Sequence, residues 1–321
     1  MGSSPAGVTS VPGPDRTAGD RYGHSALSPT LIRVPGLILV NPASGKGEMR
    51  ATELAARFPG HQIEECAPGE IEVRVRAALD RGVSFVAVAG GDGTIRSAAA
   101  VLVGTDTPLL PIPAGTRNHF ARDVGVPELD DAVAAAAEGH RRKIDVGRVN
   151  DHIFVNNSSI GVYPAIVISR EFHERRLRKA VANLVAVWEQ LRHGRRFWVD
   201  VAGRRVRVWM VFVGNGRYGE GLLDLADRES LDEQLLDVRV ARADRPLARV
   251  RILGALFLGR LARSPLMYCV TTQSISLDVR RPSIEVALDG EVERIETPLF
   301  YESVPDALTV LVPLSRGSED G

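Results

Sequence analysis

The chain has 321 residues, 44% of them hydrophobic, and its 40 Lys and Arg balance 40 Asp and Glu, so the formal net charge is zero. That length allows a sizeable core and suggests two domains, while zero net charge argues against a nucleic-acid partner held by a strong positive field. No apolar run approaches the roughly 18 to 20 residues that cross a bilayer, which points to a soluble or peripheral, cytoplasmic protein.

Residues 1–34 are rich in Gly, Ser, Pro and Thr with few large apolar groups, too few to offset ordering entropy, and read as a disordered tail. Residues 35–150 alternate strand and helix. Leu37 to Val40 reads as a buried strand, Glu48 to Phe58 as a helix, His61 to Cys66 as a short strand and Glu70 to Arg81 as a helix. A strand from Val83 to Ala89 follows, then a helix marked by Ile95, Ala98, Ala99 and Leu102, then a strand at Leu109 to Ile112. Such alternation implies a parallel sheet covered by helices, with ligands bound beyond the carboxyl ends of the strands. Three loops lie there: Asn41 to Gly47, Gly90 to Thr94, and Pro113 to Asn118.

The second loop, Gly90-Gly91-Asp92-Gly93-Thr94, is the most informative. Unpaired N–H groups at a helix start suit phosphate, and glycine lets the backbone come close. Asp92 is negative, so among phosphate-facing amides it implies a cation, or a proton to be taken from a substrate hydroxyl. The first loop, Asn41-Pro42-Ala43-Ser44-Gly45-Lys46-Gly47, offers a hydroxyl, flexible amides and an ammonium group but lacks the Walker spacing. The third, with Gly115, Thr116 and Asn118, reads alone as a turn and helix cap.

From 151 to 313 the texture is β-rich. Expected strands are Ile153 to Asn157, Phe197 to Val201, Val206 to Val213, Leu236 to Val240, Ser274 to Val279, Ser283 to Leu288 and Ala307 to Val312, many alternating apolar and polar residues. This describes a second, β-sandwich-like domain, whose last strand is able to return to the first, followed by a tail at 314–321. Two helices interrupt it, about Ile166 to His193 and Pro246 to Ala262. Each carries an apolar stripe bordered by arginines, such as Arg175 and Arg176 in the first and Arg249 and Arg251 in the second. A basic amphipathic helix suits an anionic membrane surface, and equally a protein core with a solvated arginine face. Cys66 and Cys269 are too few for a disulfide framework or zinc cluster and read as packed thiols.

Taken together, Asn-Pro-x-Ser-Gly-Lys, Gly-Gly-Asp-Gly-Thr and Pro-x-Gly-Thr-x-Asn-x-Phe-Ala-Arg, in that order, resemble the diacylglycerol kinase catalytic-domain family. The likeness continues through Ile144-Asp145-Val146-Gly147, Phe154 to Gly161, Val213-Gly214-Asn215 and Leu288-Asp289-Gly290-Glu291. It implies an α/β domain of the NAD kinase and phosphofructokinase type plus a β-sandwich-like domain, and a kinase using ATP and Mg²⁺ to phosphorylate a lipid hydroxyl. On this resemblance Asn41, Ser44, Lys46, Gly91, Gly93, Thr94, Gly115, Thr116 and Asn118 cradle the nucleotide. Asp92 serves the metal and the reacting hydroxyl, and Glu291 is the general base or magnesium partner. The partners implied are a lipid substrate and a membrane surface touched peripherally; a homodimer is compatible with all of this.

Some positions depart from the family or read two ways. His119 stands where many relatives carry aspartate, and reads either as a base or as a polar helix-start residue. Asp289-Gly290 reads also as a hairpin turn, and Asp145 as either a cleft-lining carboxylate or a strand-end charge. The family often holds a second, structural magnesium at Asp-Asp-Gly-x-Leu-Asp; here Glu233 and Asp237 would serve it, but Gln234 replaces the glycine and the longer Glu233 alters ligand reach. Two alternatives remain: a nicotinamide-dinucleotide kinase, which shares the Gly-Gly-Asp-Gly loop, and a non-catalytic nucleotide- or lipid-binding protein on the same fold.

Overall fold

Four parallel strands build the first lobe: β1 (Leu37–Val40), β2 (Gln62–Glu65), β3 (Val86–Gly90) and β4 (Leu109–Pro113), in the order β4-β3-β1-β2. The computed structural model describes residues 34–44, 50–138, 140–161, 196–201, 203–219, 228, 230–244, 251 and 266–314. Outside them lie the two expected tails apart from Val34 and Leu314, the interrupting helices apart from Arg251, and Lys46. β1 and β3 are buried at every residue, as strands covered on both faces must be, which is why they read as unbroken apolar runs.

Helices α1 (Ala51–Arg57), α2 (Ile71–Asp80), α3 (Asp92–Leu102), α4 (His119–Asp123) and α5 (Leu129–Glu138) connect these strands or follow them. In α2 the buried residues are Ile71, Val75 and Ala78; in α3 they include Ile95, Ala98, Ala99 and Leu102. That helical spacing faces the sheet, and each large aliphatic side chain so buried contributes about 1.5–3 kcal/mol. α3 starts at Asp92, earlier than its apolar stripe, so the aspartate occupies the first turn, where the helix dipole favours negative charge.

The remaining strands pair antiparallel with one another, while the last also meets β4 in parallel: β5 (Arg141–Val149), β6 (His152–Phe154), β7 (Asn157–Gly161), β8 (Phe197–Val201), β9 (Arg204–Asn215), β10 (Leu236–Arg242), β11 (Met267–Thr272), β12 (Ser274–Asp278), β13 (Ser283–Leu288), β14 (Glu291–Glu296) and β15 (Leu299–Leu311). Their shared core holds Val211, Val213, Val238 and Val240, with Phe154 and Tyr301 closing one side. The first lobe has its own core, to which Val155 and Leu231 contribute. The fold class is therefore a parallel α/β lobe joined to a β-sandwich-like lobe.

β15 is the seam between them. Its first half pairs with β12, most of its length pairs with β5, and Val310 sits beside Leu109 of β4. The register slips between Val304 and Leu308, where Asp306 takes a left-handed φ of 49°. Only Ala307 to Val312 was expected there, because the first half carries Glu302 and Asp306 and shows no clean alternation. β11 and β14 are not among the expected strands, β5 was legible only as a strand at Asp145, and the expected strand Ile153 to Asn157 is divided between the end of β6 and the start of β7; β5 opens on three charged residues, and β14 carries three glutamates on the exposed outer strand. Cys66 is packed as expected, but Cys269 is exposed; it lies on β11, which among the described residues pairs with β10 alone.

Candidate active site

The three strand-end loops meet. Asn41 is buried directly after β1, where its side-chain amide donates to Thr94 Oγ1 at 3.1 Å and its Oδ1 accepts from Ala43 N at 3.0 Å. Ser44 follows in the same turn, its N–H bonded to Asn41 O. In the third loop Asn118 closes a ring on Gly115, accepting from Gly115 N at 2.8 Å and donating to Gly115 O at 2.9 Å. Asn118 holds a left-handed φ of 51°, which asparagine tolerates well. A Cβ on Gly115 would lie 2.6 Å from Gly91 Cα, so the second and third loops touch backbone to backbone. Thr116 is exposed on the rim of this ring.

Asp92 accepts from Phe120 N at 3.1 Å and His119 N at 3.4 Å, and so tethers the start of α4. An ionised carboxylate has about four lone-pair sites, so these two bonds leave room for a cation at Asp92. Burial pushes the His119 imidazole below its ordinary value, against the Asp92 charge that pulls it up, and Arg122 Nη2 lies 2.9 Å from His119 Nδ1. The ring is therefore neutral near pH 7, and with Arg122 donating to Nδ1 its proton is assigned to Nε2. That arrangement fits a polar helix-start residue better than a base.

Glu291 arrives from the second lobe. Leu288 pairs with Glu291 across a two-residue turn, Asp289-Gly290, with φ of 50° and 97°, the type I′ geometry that Asp-Gly favours. A Cβ on Gly93 would collide with Glu291 Oε1, so the glutamate stands directly on the second loop. Its Oε2 accepts from Arg96 Nη2 at 2.8 Å, and the same nitrogen reaches Glu293 Oε1 at 2.6 Å. Arg96 carried no motif, although its place four residues after Asp92 on one helix face was a usable signal.

Asp289 is more than a turn residue. Its carboxylate accepts from Val155 N at 2.8 Å, Asn156 N at 2.7 Å and Asn157 N at 2.9 Å, which fastens the hairpin to the turn before β7. Burial pushes this carboxyl up to about 6, with the three N–H groups pulling it the other way. Asp145, left open above, is a buried structural anchor: it accepts from Gln234 N at 2.6 Å and Asp306 N at 3.0 Å.

Glu233 and Asp237 are each paired with an arginine. Glu233 is on the surface with Arg217 at 3.3 Å, whereas Asp237 is buried and gripped by Arg239, whose Nη2 lies 2.7 Å from Oδ2. Arg239 Nη2 also donates to Tyr218 O at 3.0 Å and Gly219 O at 2.9 Å, so a guanidinium gathers the carboxylate and carbonyl oxygens that a cation would otherwise take. Each carboxylate thus has its own arginine, and Gln234, where the family has glycine, takes a left-handed φ of 58°.

Three strand-end loops, two of which meet glycine to glycine, are faced by an acidic hairpin from a β-sandwich-like lobe, an arrangement that suits a phosphate-binding class of site. The comparisons carry this to a family. The family model described as "Diacylglycerol kinase catalytic domain" matches residues 35–149, and that of the "YegS C-terminal NAD kinase beta sandwich-like domain" matches residues 165–312. A Mycobacterium tuberculosis protein named diacylglycerol kinase is 32% identical over 295 residues, covering 86% of this chain and 94% of its own. A Pseudomonas fluorescens protein named "Probable lipid kinase YegS-like" is 27% identical over 286 residues, covering 86% and 94% respectively. The crystal structure of a diacylglycerol kinase from Bacillus anthracis superposes with a TM-score of 0.61 at 21% identity, covering 87% of this chain and 97% of that one. The chain belongs to the diacylglycerol kinase catalytic-domain family.

Proposed function

We propose that the chain is an ATP-dependent lipid kinase that transfers the γ-phosphate to the hydroxyl of a lipid of the diacylglycerol or sphingoid type. The observation that carries this reading is the convergence of Gly91, Gly115 and Glu291 around one loop: two glycines open the backbone to phosphate, and a carboxylate faces them from the other lobe. Family membership favours a lipid acceptor over a nicotinamide dinucleotide.

In this reading the amides at Gly91, Gly93 and Thr94, the ring of Gly115 and Asn118, and Asn41, Ser44, Lys46 and Thr116 bind and orient the nucleotide. Asp92, with acceptor capacity to spare, would hold Mg²⁺, which supplies charge neutralisation on the phosphates. Glu291 Oε1 takes the proton of the lipid hydroxyl while Oε2 stays on Arg96, which orients it. The hydroxyl oxygen forms a bond to the γ-phosphorus as the bond to the bridging oxygen breaks and ADP leaves. General-base help of this kind is worth about 10² to 10⁴ in rate.

Among the described residues no helix is long and apolar enough to cross a membrane. The lipid would then be met at a surface, and the two arginine-bordered segments expected as helices, Ile166 to His193 and Pro246 to Ala262, which apart from Arg251 lie outside the described residues, are proposed to meet it.

The test is a phosphorylation screen of the purified chain with labelled ATP against extracted lipids, the product identified by mass. Label on a lipid of added phosphate mass is expected. ATP binding with no turnover across the panel would favour the non-catalytic alternative.

A further inference from the structure

Arg228 is buried, its side chain 1% exposed, and spans the two lobes. On the first-lobe side its Nε donates to Asp123 Oδ2 at 2.7 Å and its Nη2 lies 2.6 Å from the same oxygen. On the other side Nη1 donates to Val155 O at 2.6 Å and Asn215 O at 3.2 Å, and Nη2 donates to Asn156 Oδ1 at 3.0 Å. One planar fork thus meets four acceptors on three segments, a geometry that a lysine's single ammonium cannot reproduce.

What lies beyond each end matters more than the pair itself. Asp123 ends α4, the short helix whose first amides, at His119 and Phe120, hold the Asp92 carboxylate. Val155 and Asn156 belong to the turn whose N–H groups hold Asp289, two residues before Glu291. A continuous series of hydrogen bonds therefore runs from Asp92 through α4, Asp123, Arg228 and the turn to the hairpin that carries Glu291. Burial pushes the Asp123 carboxyl up, and the Arg228 charge and hydrogen bond pull it the other way.

We propose that Arg228 is a positioning residue for phosphoryl transfer, a strut that sets the distance between the carboxylates of Asp92 and Glu291 across the cleft. This rests on the kinase reading above. Displacements of about 1 Å between reacting groups reduce rates by about 10²-fold, so the strut acts on the chemical step more than on binding.

Removing only one partner leaves a buried charge and risks unfolding, whereas replacing both by apolar groups of similar size is often tolerated. The informative protein is therefore the double variant Arg228→Met, Asp123→Leu, with Arg228→Lys beside it. With the fold checked by circular dichroism, the double variant is expected to lose about 100-fold in kcat with KM for ATP within about threefold of wild type. Arg228→Lys should fail to rescue. Amide exchange should quicken together at 119–120, 155–157 and 289–291. A folded double variant whose kcat stays within about threefold of wild type overturns the proposal. If the wild-type chain phosphorylates no lipid, the kinase reading fails, and exchange alone decides the strut: joint quickening supports it, and unchanged protection at 289–291 sinks it.

Discussion

Gly115 and Gly91 meet with no room for a side chain between them: a Cβ on Gly115 would stand 2.6 Å from Gly91 Cα and 2.9 Å from Asn118 Oδ1. Both obstacles sit in the loops assigned to phosphate, and the nearer of them is backbone, which cannot rotate away. Gly115→Ala should therefore force the two loops apart, destabilising the protein by about 1–3 kcal/mol and weakening ATP binding. Calorimetric titration with ATP checks it; unchanged affinity would mean that this contact does not shape the nucleotide site.

Glu291 reaches the second loop with one oxygen on Arg96 and the other against Gly93. Glu291→Gln preserves shape and the acceptor for Arg96 but cannot take a proton, so kcat should fall by about 10² to 10⁴ while KM for ATP changes little. A steady-state comparison of the two proteins distinguishes this from a purely structural hairpin contact, which would leave kcat near wild type in a folded variant.

Asp289 ties pH to stability. Its carboxyl titrates at about 6 in the folded protein, above the roughly 3.9 of an unfolded chain, so the folded state binds that proton more tightly. The contribution is fully present below the unfolded value and is lost as pH rises through about 6. Denaturant midpoints from pH 4.5 to 7.5 should show this downward slope in the wild-type minus Asp289→Asn difference. A flat difference would contradict it.

Arg239 holds the carboxylate that the family's structural cation would use, so chelators should leave thermal stability unchanged in the nucleotide-free protein. Arg239→Met should instead cost about 3–5 kcal/mol, because it strands the buried Asp237 carboxylate. A fall in melting temperature on adding EDTA, reversed by Mg²⁺, would restore the metal.

Much of the first lobe was legible because its physics is local. The apolar runs of β1 and β3 are buried at every residue, and the stripe of α3 faces the sheet. The glycines and Asp92 announced the cleft, since backbone approach and charge are properties of residue type. What escaped was tertiary. Arg228 lies in a stretch with no periodicity, and nothing in its neighbours' identity tells that Asp123 and Val155 will meet it. The Asp289-Gly290 turn was readable from its dipeptide, but its carboxylate's three donors come from a distant turn. β14 and the first residues of β5 were hidden by charges that pairing in the sheet accommodates along exposed positions.

The central claim is that Asp92 is the metal and hydroxyl side of a phosphoryl-transfer cleft. Transfer of label from ATP to lipid by wild-type protein and by Asp92→Asn tests it directly. The amide keeps one oxygen for the shorter bond from Phe120 N and gives up only the longer contact from His119 N, so the fold should survive, checked by an unchanged circular dichroism spectrum. The account predicts that labelled lipid disappears with the aspartate; full activity in a folded Asp92→Asn protein would contradict it.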